Sequence, residues 1–304
     1  MSQIPSAADR VYLVTGGNAG IGYFTAEQLA GTGATVVLGS RSAERAGAAL
    51  DAIRARVPGA RVRSVGLDLA DLGSLRDTAE SLAAERLDAV VLNAGVLHEG
   101  LERRETRDGN EVHFGTNHLG HFALTHWLLP LLEAAPSARV VTVGSFAAKS
   151  ERLDLDDPQS RAGYRGKRAY ARSKLAQMYF GLELDRRLRA VGSTVSSVVV
   201  HPGGALDSLT PSRPPVHVRT AGAVLRGAPA ALVLQGKHAG ARPAVQAMLD
   251  PRVAGGELWG PRVFGLRGRP HRERLWARLE DADTARRLWE ASAELTGVAP
   301  ADAV

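Results

Sequence analysis

The chain has 304 residues, 44% of them hydrophobic, which is enough for the core of one large α/β domain or two small ones. Its formal net charge is +6, but 32 acidic residues accompany 38 cations along the sequence, so we interpret the charge as solvated surface and expect no nucleic-acid partner. There is no cysteine, which excludes disulfides, thiolate catalysis and cysteine-ligated metals. The sequence has no apolar run of about 18 residues and no signal-peptide pattern, so a cytoplasmic protein without a membrane span is expected.

Short apolar segments alternate with longer amphipathic ones over the first two thirds of the chain. Strands are predicted at 10–16, 34–40, 61–68, 87–95, 138–145 and 193–201, and helices near 20–31, 42–56, 71–85, 108–134 and 168–190. Strands that are apolar throughout and separated by helices indicate a mainly parallel sheet covered on both faces. The predicted fold class is therefore α/β, a single doubly wound Rossmann-type domain over residues 1–304 with about seven strands.

The last third of the chain is less regular. A helix is predicted over 220–235, a final strand over 255–264, and a terminal helix that ends at Gly297. The basic stretch RGRPHRER, which starts at Arg267, is predicted to be the exposed start of a C-terminal helix. Substrate-binding or lid elements are expected in 146–169 and 204–250, because polar inserts and irregular segments of an α/β protein commonly carry its substrate contacts.

Four of the eight residues in TGGNAGIG, from Thr15 to Gly22, are glycines, and they lie where the first strand turns into the first helix. A turn that brings backbone N–H groups against a pyrophosphate has no room for side chains, and the helix N-terminus favours the negative charge. The spacing of Gly16, Gly20 and Gly22 suits this task. A glycine turn without a ligand is the alternative interpretation.

The end of the second strand carries a clue to the identity of the nucleotide. In the usual dinucleotide fold an acidic residue there binds the adenosine ribose and repels a 2′-phosphate. This sequence has LGSRS instead, in which Ser40 offers a hydroxyl and Arg41 a forked cation that suits a phosphate. NADP(H) is therefore the expected cofactor, whereas an ordinary surface cation is the alternative for Arg41.

Tyr170 and Lys174 are four residues apart in AYARSKLA and so share one face of a predicted helix. Only four of the 38 cations are lysines, at positions 149, 167, 174 and 237, so a lysine at this spacing is informative. An ammonium group close to a phenol stabilises the phenolate and lowers its pKa. The pair thus predicts a tyrosine that acts as general acid or base.

His118 and His121 are three residues apart and raise the question of a metal site. They have no carboxylate at ligand spacing, and histidines in an apolar helix are more often packed or hydrogen-bonded, so no metal is predicted.

Together these motifs resemble the short-chain dehydrogenase/reductase family, and NHLGHF, at 117–122, is most similar to its retinol-dehydrogenase-like branch. The resemblance implies a catalytic set of four residues: Asn117, Ser145, Tyr170 and Lys174. It also implies that the cofactor contacts the glycine turn, the strand ends, the catalytic helix and the segment after the sixth strand: Thr15, Gly16, Asn18, Gly20, Ile21, Gly22, Ser40, Arg41, Asp68, Leu69, Asn93, Ala94, Gly95, Tyr170, Lys174, Pro202, Gly203 and Ser208.

Two features depart from the family pattern. Gly144 replaces the first of two serines that often end the fifth strand, and Asp207 stands where the family usually has a threonine that contacts the nicotinamide amide. Ser208, the next residue, is the expected substitute for that threonine, with Asp207 as the alternative.

The sequence therefore predicts an NADPH-dependent ketoreductase or alcohol dehydrogenase that acts on an apolar or bulky small-molecule carbonyl or alcohol, with Tyr170 as the general acid/base. A redox-neutral epimerase on the same scaffold and a non-catalytic NADP-binding regulatory protein are the alternatives. The apolar face of the helix from about Arg168, which includes Met178 and Leu182, predicts either a homodimer or homotetramer, or coverage by the C-terminal segment of the chain itself.

Overall fold

The computed structural model describes residues 7–82, 86–220, 222 and 229–300. Within them an eight-stranded sheet has the order β10-β9-β6-β5-β4-β1-β2-β3. Its strands are β1 Val11–Thr15, β2 Thr35–Ser40, β3 Arg61–Gly66, β4 Ala89–Leu92, β5 Arg139–Val143, β6 Ser196–Val200, β9 Leu258–Val263 and β10 Arg267–Glu273. All neighbouring strands are parallel except β9 and β10. The predicted α/β architecture with a mainly parallel sheet is confirmed.

Two further short strands, β7 Ala205–Leu206 and β8 Gln235–Gly236, form a separate parallel pair. The described helices are α1 Gly20–Ala30, α2 Ala43–Arg56, α3 Leu75–Glu80, α4 Gly120–Glu133, α5 Gly166–Ala190, α6 Lys237–Gly240, α7 Arg242–Leu249 and α8 Ala282–Thr296.

Helices cover both faces of the large sheet because successive strand residues point to opposite sides. On β1, Tyr12 and Val14 belong to a buried cluster that includes Phe24 of α1 and residues of α2 and α7. Leu13, between them, belongs to a second cluster that includes Phe122 of α4 and residues of α3, α5 and α8. Since the strands from β1 to β6 and β9 contribute residues to these two clusters, the strand ends at the carboxyl edge of the sheet are held in fixed positions.

The C-terminal helix α8 packs along α5. The rings of Phe180 and Trp289 stack at 5.8 Å between centroids, and Leu288 shares a buried cluster with Met178 of α5. The helix ends as predicted at Gly297, which adopts φ +69°. The chain's own C-terminal segment therefore covers part of the apolar face of α5, and the homodimer or homotetramer stays a prediction.

The prediction for RGRPHRER is wrong: Arg267–Glu273 is the edge strand β10, and it adds an eighth strand to the expected seven or so. Phe264 and Gly265 adopt φ +53° and φ +69° in the tight turn after β9, so the chain reverses and pairs antiparallel with that strand. Gly268 and Pro270 disfavour a helix, and an edge strand tolerates a proline because one of its sides has no partner.

Three predicted helices differ from the observed ones. The segment 108–134 becomes a regular helix only at Gly120, after a π-helical turn at Phe114–Leu119. The segment 71–85 is a 3₁₀ turn at Leu72–Ser74 followed by the short α3, and its residues 83–85 lie outside the described part. Of the helix predicted over 220–235, residues 221 and 223–228 lie outside the described part, and the described residues from 229 on form the 3₁₀ turn Pro229–Leu232 and, at Gln235, the start of β8. Among the described residues, no helix combines the length and the apolar character needed to cross a membrane.

Candidate functional site

A cleft of about 620 Å³ opens at the carboxyl ends of β1, β2 and β4. This is the edge at which parallel α/β sheets commonly bind ligands, and the volume suits a sizeable small molecule. Twelve of the residues predicted from the sequence line it: Gly16, Asn18, Gly20, Ile21, Ser40, Arg41, Asp68, Leu69, Asn93, Ala94, Gly95 and Tyr170. The other predicted cofactor residues lie beneath or outside this lining, and they are Thr15, Gly22, Lys174, Pro202, Gly203 and Ser208.

The glycine turn after β1 approaches the turn after β4, Asn93-Ala94-Gly95, so closely that side chains would not fit between them. Gly16 adopts φ +65°, and a Cβ on it would lie 3.0 Å from the Cα of Ala94. Gly20 adopts φ +57°, and a Cβ there would meet no protein atom within 4 Å, because it would point into the cleft. The turn therefore leaves open the space in front of the N-terminus of α1, where an anion is favoured.

Thr15 holds the turn after β4 in place from below. Its hydroxyl oxygen accepts the backbone N–H groups of Asn93 and Ala94, both at 2.9 Å, and the Asn93 side-chain amide donates to the Thr15 carbonyl at 2.9 Å. Thr15 is completely buried, so it shapes the cleft without lining it.

Two arginines without ion-pair partners in the described part of the chain lie where β2 ends. Arg41 and Arg45 both line the cleft and are exposed. Ser42 caps α2 by accepting the Arg45 N–H, and Ser40 exchanges hydrogen bonds with the Ser42 backbone at 3.1 and 3.2 Å. Two guanidinium groups at a capped helix N-terminus form an electropositive end of the cleft. Arg45 was not predicted, although its position four residues after Arg41 could have indicated it.

On the neighbouring strand end, the Asp68 carboxylate accepts the Ala70 N–H at 3.0 Å. Leu69 is buried, and its carbonyl lies against Gly120, so α4 begins in direct contact with this wall of the cleft.

The three residues Ser145, Tyr170 and Lys174 meet at the inner end of the cleft. Burial raises the pKa of the Tyr170 phenol, whereas a hydrogen bond with the Ser145 side chain lowers it. Lys174 is buried behind them, and its ammonium donates to the Val143 carbonyl at 3.0 Å and to the Gln177 side chain at 2.8 Å. Burial lowers the pKa of Lys174 to about 7.

The expectation that Lys174 lowers the pKa of Tyr170 is therefore wrong for this arrangement. The ammonium bonds to acceptors of β5 and of its own helix, so the net effect on the phenol is a raised pKa that comes mainly from desolvation.

Asn117 is fully buried in the π-helical turn and joins the strand-four turn to α5. Its side-chain oxygen accepts the Val96 N–H at 2.8 Å, and its amide donates to Ser173 at 2.9 Å. Ser173 in turn donates to the Tyr170 carbonyl at 2.8 Å. In this structure the Asn117 side chain thus fixes α5 relative to the cleft.

His118 and His121 are both fully buried, and burial lowers the pKa of each to about 3. His118 Nε2 lies 2.7 Å from the Ser292 hydroxyl of α8, and His121 Nε2 lies 2.9 Å from the Thr15 hydroxyl. Both imidazoles are therefore neutral parts of the packed interior at ordinary pH.

The segment after β6 carries an ion pair next to the cleft. Asp207 is 64% exposed, and its carboxylate pairs with the ammonium of Lys237 at 2.6 Å. Neither Asp207 nor Ser208 lines the cleft, but Lys237 does. Lys237 was not predicted, although the scarcity of lysine could have drawn attention to it.

The insert 146–169 begins with a 3₁₀ turn, Phe146–Ser150, and continues without regular structure to α5. It is tied to the chain around residue 111: the Gln159 side chain accepts the Glu111 N–H at 2.6 Å, and the Tyr164 hydroxyl donates to the Glu111 carboxylate at 3.0 Å. Glu111 also bonds to His113, whose ring packs edge-on against Tyr170 at 6.2 Å between centroids. The insert is thus anchored next to the Tyr170 ring.

Comparisons with known proteins agree with this geometry. The profile of the family described as short chain dehydrogenase matches residues 10–213. Retinol dehydrogenase 13 of Homo sapiens is 36% identical over 294 residues, which cover 95% of this chain and 85% of that protein. Polyprenol dehydrogenase of Mus musculus is 39% identical over 308 residues, which cover 98% of this chain and 87% of that protein. A crystal structure of an uncharacterized protein from Mycobacterium paratuberculosis is 36% identical, with a TM-score of 0.78 over 98% of this chain and 97% of that one.

Proposed function

The chain belongs to the short-chain dehydrogenase/reductase family, in its retinol-dehydrogenase-like branch, and from this premise we propose that it is an NADP(H)-dependent oxidoreductase. The proposed reaction transfers a hydride between the nicotinamide and the carbonyl or alcohol carbon of an apolar or bulky small molecule. The observation that carries the proposal is the position of Tyr170, with Ser145 beside it, in the lining of the same cleft that the glycine turn lines.

Two features of the cleft support the proposal of a dinucleotide with a 2′-phosphate. The open space at Gly20, in front of the N-terminus of α1, suits a pyrophosphate. Arg41 and Arg45 supply two cations at the other end of the cleft. Ser40 and Arg41 stand at the end of β2, in the place where a dinucleotide fold usually has a carboxylate. Forked guanidinium groups bind phosphate well, so NADP(H) is favoured over NAD(H). When bound, the nicotinamide supplies or accepts the hydride.

Tyr170 is proposed to move the proton. Its raised pKa keeps the phenol protonated at neutral pH, and this is the form that can donate to a carbonyl oxygen while that carbon becomes an alcohol carbon. Ser145, which acts on the pKa of the phenol from beside it, is proposed to hold the same substrate oxygen. Alcohol oxidation requires the phenolate form of Tyr170, which accepts the hydroxyl proton of the alcohol.

Lys174 is proposed to act from beneath the cleft. A Cβ on Gly95, which lines the cleft, would lie 3.4 Å from the Lys174 Nζ, so only a glycine backbone separates the ammonium from the bound ligand. A positive charge there favours an anionic cofactor.

The substrate class rests on the relatives and on the lining. Val96 and Leu97 line the cleft beside Tyr170, and Leu97 is half exposed. The relatives named above are dehydrogenases of retinol and polyprenol, which are long apolar alcohols. We therefore propose an apolar aldehyde, ketone or alcohol for this chain as well.

The test is to mix the purified protein with NADPH and a panel of aldehydes and ketones, including long apolar ones, and to follow NADPH fluorescence. Net NADPH oxidation that is lost in Tyr170→Phe is expected. Turnover of a substrate without net NADPH consumption would indicate an epimerase instead, and NADPH binding without any turnover across the panel would favour a regulatory role.

A further inference from the structure

Lys237 is the one lysine in the described lining of the cleft, and the fold places it there by pairing two distant segments. In the parallel pair β7–β8, Leu206 lies opposite Gly236. The next residues along the two strands, Asp207 and Lys237, are therefore side by side, and their charged groups meet at 2.6 Å.

The backbone at Lys237 is held firmly against α1. Its N–H donates to the buried Thr210 hydroxyl at 2.8 Å, and Gly236 packs against the Leu209 carbonyl too closely for any side chain. The adjacent His238 carbonyl accepts from Gln28 of α1 at 3.0 Å, and its ring contacts Phe24 at 5.7 Å between centroids. The backbone and Cβ of Lys237 are thus held in a fixed position relative to α1, the helix that follows the glycine turn.

The positively charged residues of the cleft come from two different segments, so Lys237 is expected to have a different role from the two arginines. Among the described residues that line the cleft, the formal charges are Arg41, Arg45, Asp68 and Lys237. Both arginines follow β2, whereas Lys237 comes from the segment packed on α1. Its present partner is a mostly exposed carboxylate, and such a surface ion pair contributes only about 0–1 kcal/mol. A flexible ammonium can therefore turn from Asp207 towards a stronger anion at little cost.

We propose that Lys237 binds the diphosphate bridge of the dinucleotide and that Asp207 holds its ammonium ready at the cleft. The inference rests on the proposed dinucleotide function and adds a recognition residue to it. The diphosphate is common to NADPH and NADH, so Lys237 contributes to affinity for both, whereas Arg41 discriminates between them. On this basis Asp207 acts through Lys237 and makes no contact with the nicotinamide.

The experiment compares dissociation constants by isothermal titration calorimetry for NADPH, NADH and ADP-ribose, which has the diphosphate but no nicotinamide. Lys237→Gln is expected to weaken all three ligands by a similar factor of about ten, since a charge-assisted contact is lost. Lys237→Arg, which keeps the charge, is expected to retain most of the affinity. Lys167→Gln is the matched control, because Lys167 also pairs with a carboxylate, Glu99 at 3.3 Å, but does not line the cleft.

The double variant Lys237→Gln/Asp207→Asn tests whether the loss comes from the contact or from an unmasked carboxylate. Continued weak binding supports the contact, whereas recovery of wild-type affinity overturns it, because repulsion by Asp207 would then explain the loss. Unchanged dissociation constants in Lys237→Gln, or a loss confined to the two nicotinamide-containing ligands, also overturn the inference and leave the proposed function intact. A wild-type protein that binds none of the three ligands overturns both.

Discussion

Lys174 lies one helical turn after Tyr170 on α5, yet its ammonium donates to the Val143 carbonyl and the Gln177 side chain. Burial acts on the two groups in opposite directions, because it disfavours the charged form of each: it raises the pKa of the phenol and lowers that of the ammonium to about 7. At neutral pH the arrangement therefore presents a protonated phenol to the cleft, which is the form required for carbonyl reduction.

Tyr170→Phe is expected to lower turnover by a factor of about 10²–10⁴ and to leave the dissociation constant for NADPH within about twofold, because the hydroxyl serves proton transfer. Steady-state rates and NADPH titration of both proteins provide the measurement. Lys174→Ala is the informative contrast, since it is expected to impair both turnover and NADPH affinity. Appreciable turnover by Tyr170→Phe would remove the proposed acid/base role.

The buried ammonium also predicts a pH dependence of stability. The pKa of Lys174 falls from 10.5 in the unfolded chain to about 7 in the folded one, so between these values the unfolded chain binds more protons. The free energy of unfolding contributed by this group therefore rises with pH across that window, by up to about 1.4 kcal/mol per pH unit. The measurement is urea unfolding of wild type and Lys174→Met at several pH values across it.

Lys174→Met has no titrating group at this position, so the difference in unfolding free energy between the two proteins isolates the lysine. Wild type is expected to gain stability relative to the variant as the pH rises. Two stability profiles that run parallel over the whole window would contradict the lowered pKa.

Arg41→Ala is expected to remove most of a preference for NADPH over NADH that we predict to be at least about tenfold in Kd, or about 1.4 kcal/mol. The reason is that the guanidinium binds the 2′-phosphate, which NADH lacks. Arg45→Ala is expected to act in the same direction. Arg54→Ala on the same helix is the control, because Arg54 pairs with Asp51 away from the cleft. Equal affinities of wild type for the two cofactors, measured by titration, would contradict the prediction.

Local patterns were sufficient to predict most of the fold and the glycine turn, whereas the residues of the cleft after β3 and β4 were predicted only through the family resemblance. The glycine turn after β1 belongs to one strand-to-helix connection, and its glycines are close together in the sequence. Tyr170 and Lys174 share a face of α5 because they are four residues apart in a helix. Both patterns can therefore be recognised from the sequence alone. The same holds for Gly297, whose left-handed conformation ends α8.

Features that depend on distant segments could not be predicted in this way. Lys237 reaches the cleft only because β8 pairs with β7, and 28 residues lie between these two strands in the sequence. The raised pKa of Tyr170 comes from its burial among segments that are distant in the sequence, and Lys174 finds one of its acceptors in a carbonyl of β5. Strand β10 has the composition of an exposed basic segment and becomes a strand only because β9 offers it an edge.

Gly22→Ala is expected to destabilise the protein by about 1–3 kcal/mol, because overpacking at a tight contact forces the backbone to shift. A Cβ on Gly22 would overlap sterically with the Asn93 side-chain amide and with the Gly16 carbonyl. The Asn93 amide bonds to the Thr15 carbonyl at 2.9 Å, so the added methyl group would also disturb the contact between the two turns. A parallel loss of NADPH affinity is expected, since both turns line the cleft.

Gly47→Ala is the matched control for this change. Gly47 lies within α2, and a Cβ there would meet no atom within 4 Å, so the same substitution adds no clash. Alanine has the higher helix propensity, and the control is expected to stabilise the protein by about 0.5–1 kcal/mol without changing NADPH affinity. Thermal or urea unfolding of both variants, together with NADPH titration, distinguishes a steric role of Gly22 from a general effect of glycine replacement. If Gly22→Ala matched Gly47→Ala in stability and in NADPH affinity, the close contact between the glycine turn and Asn93 would have no bearing on the site.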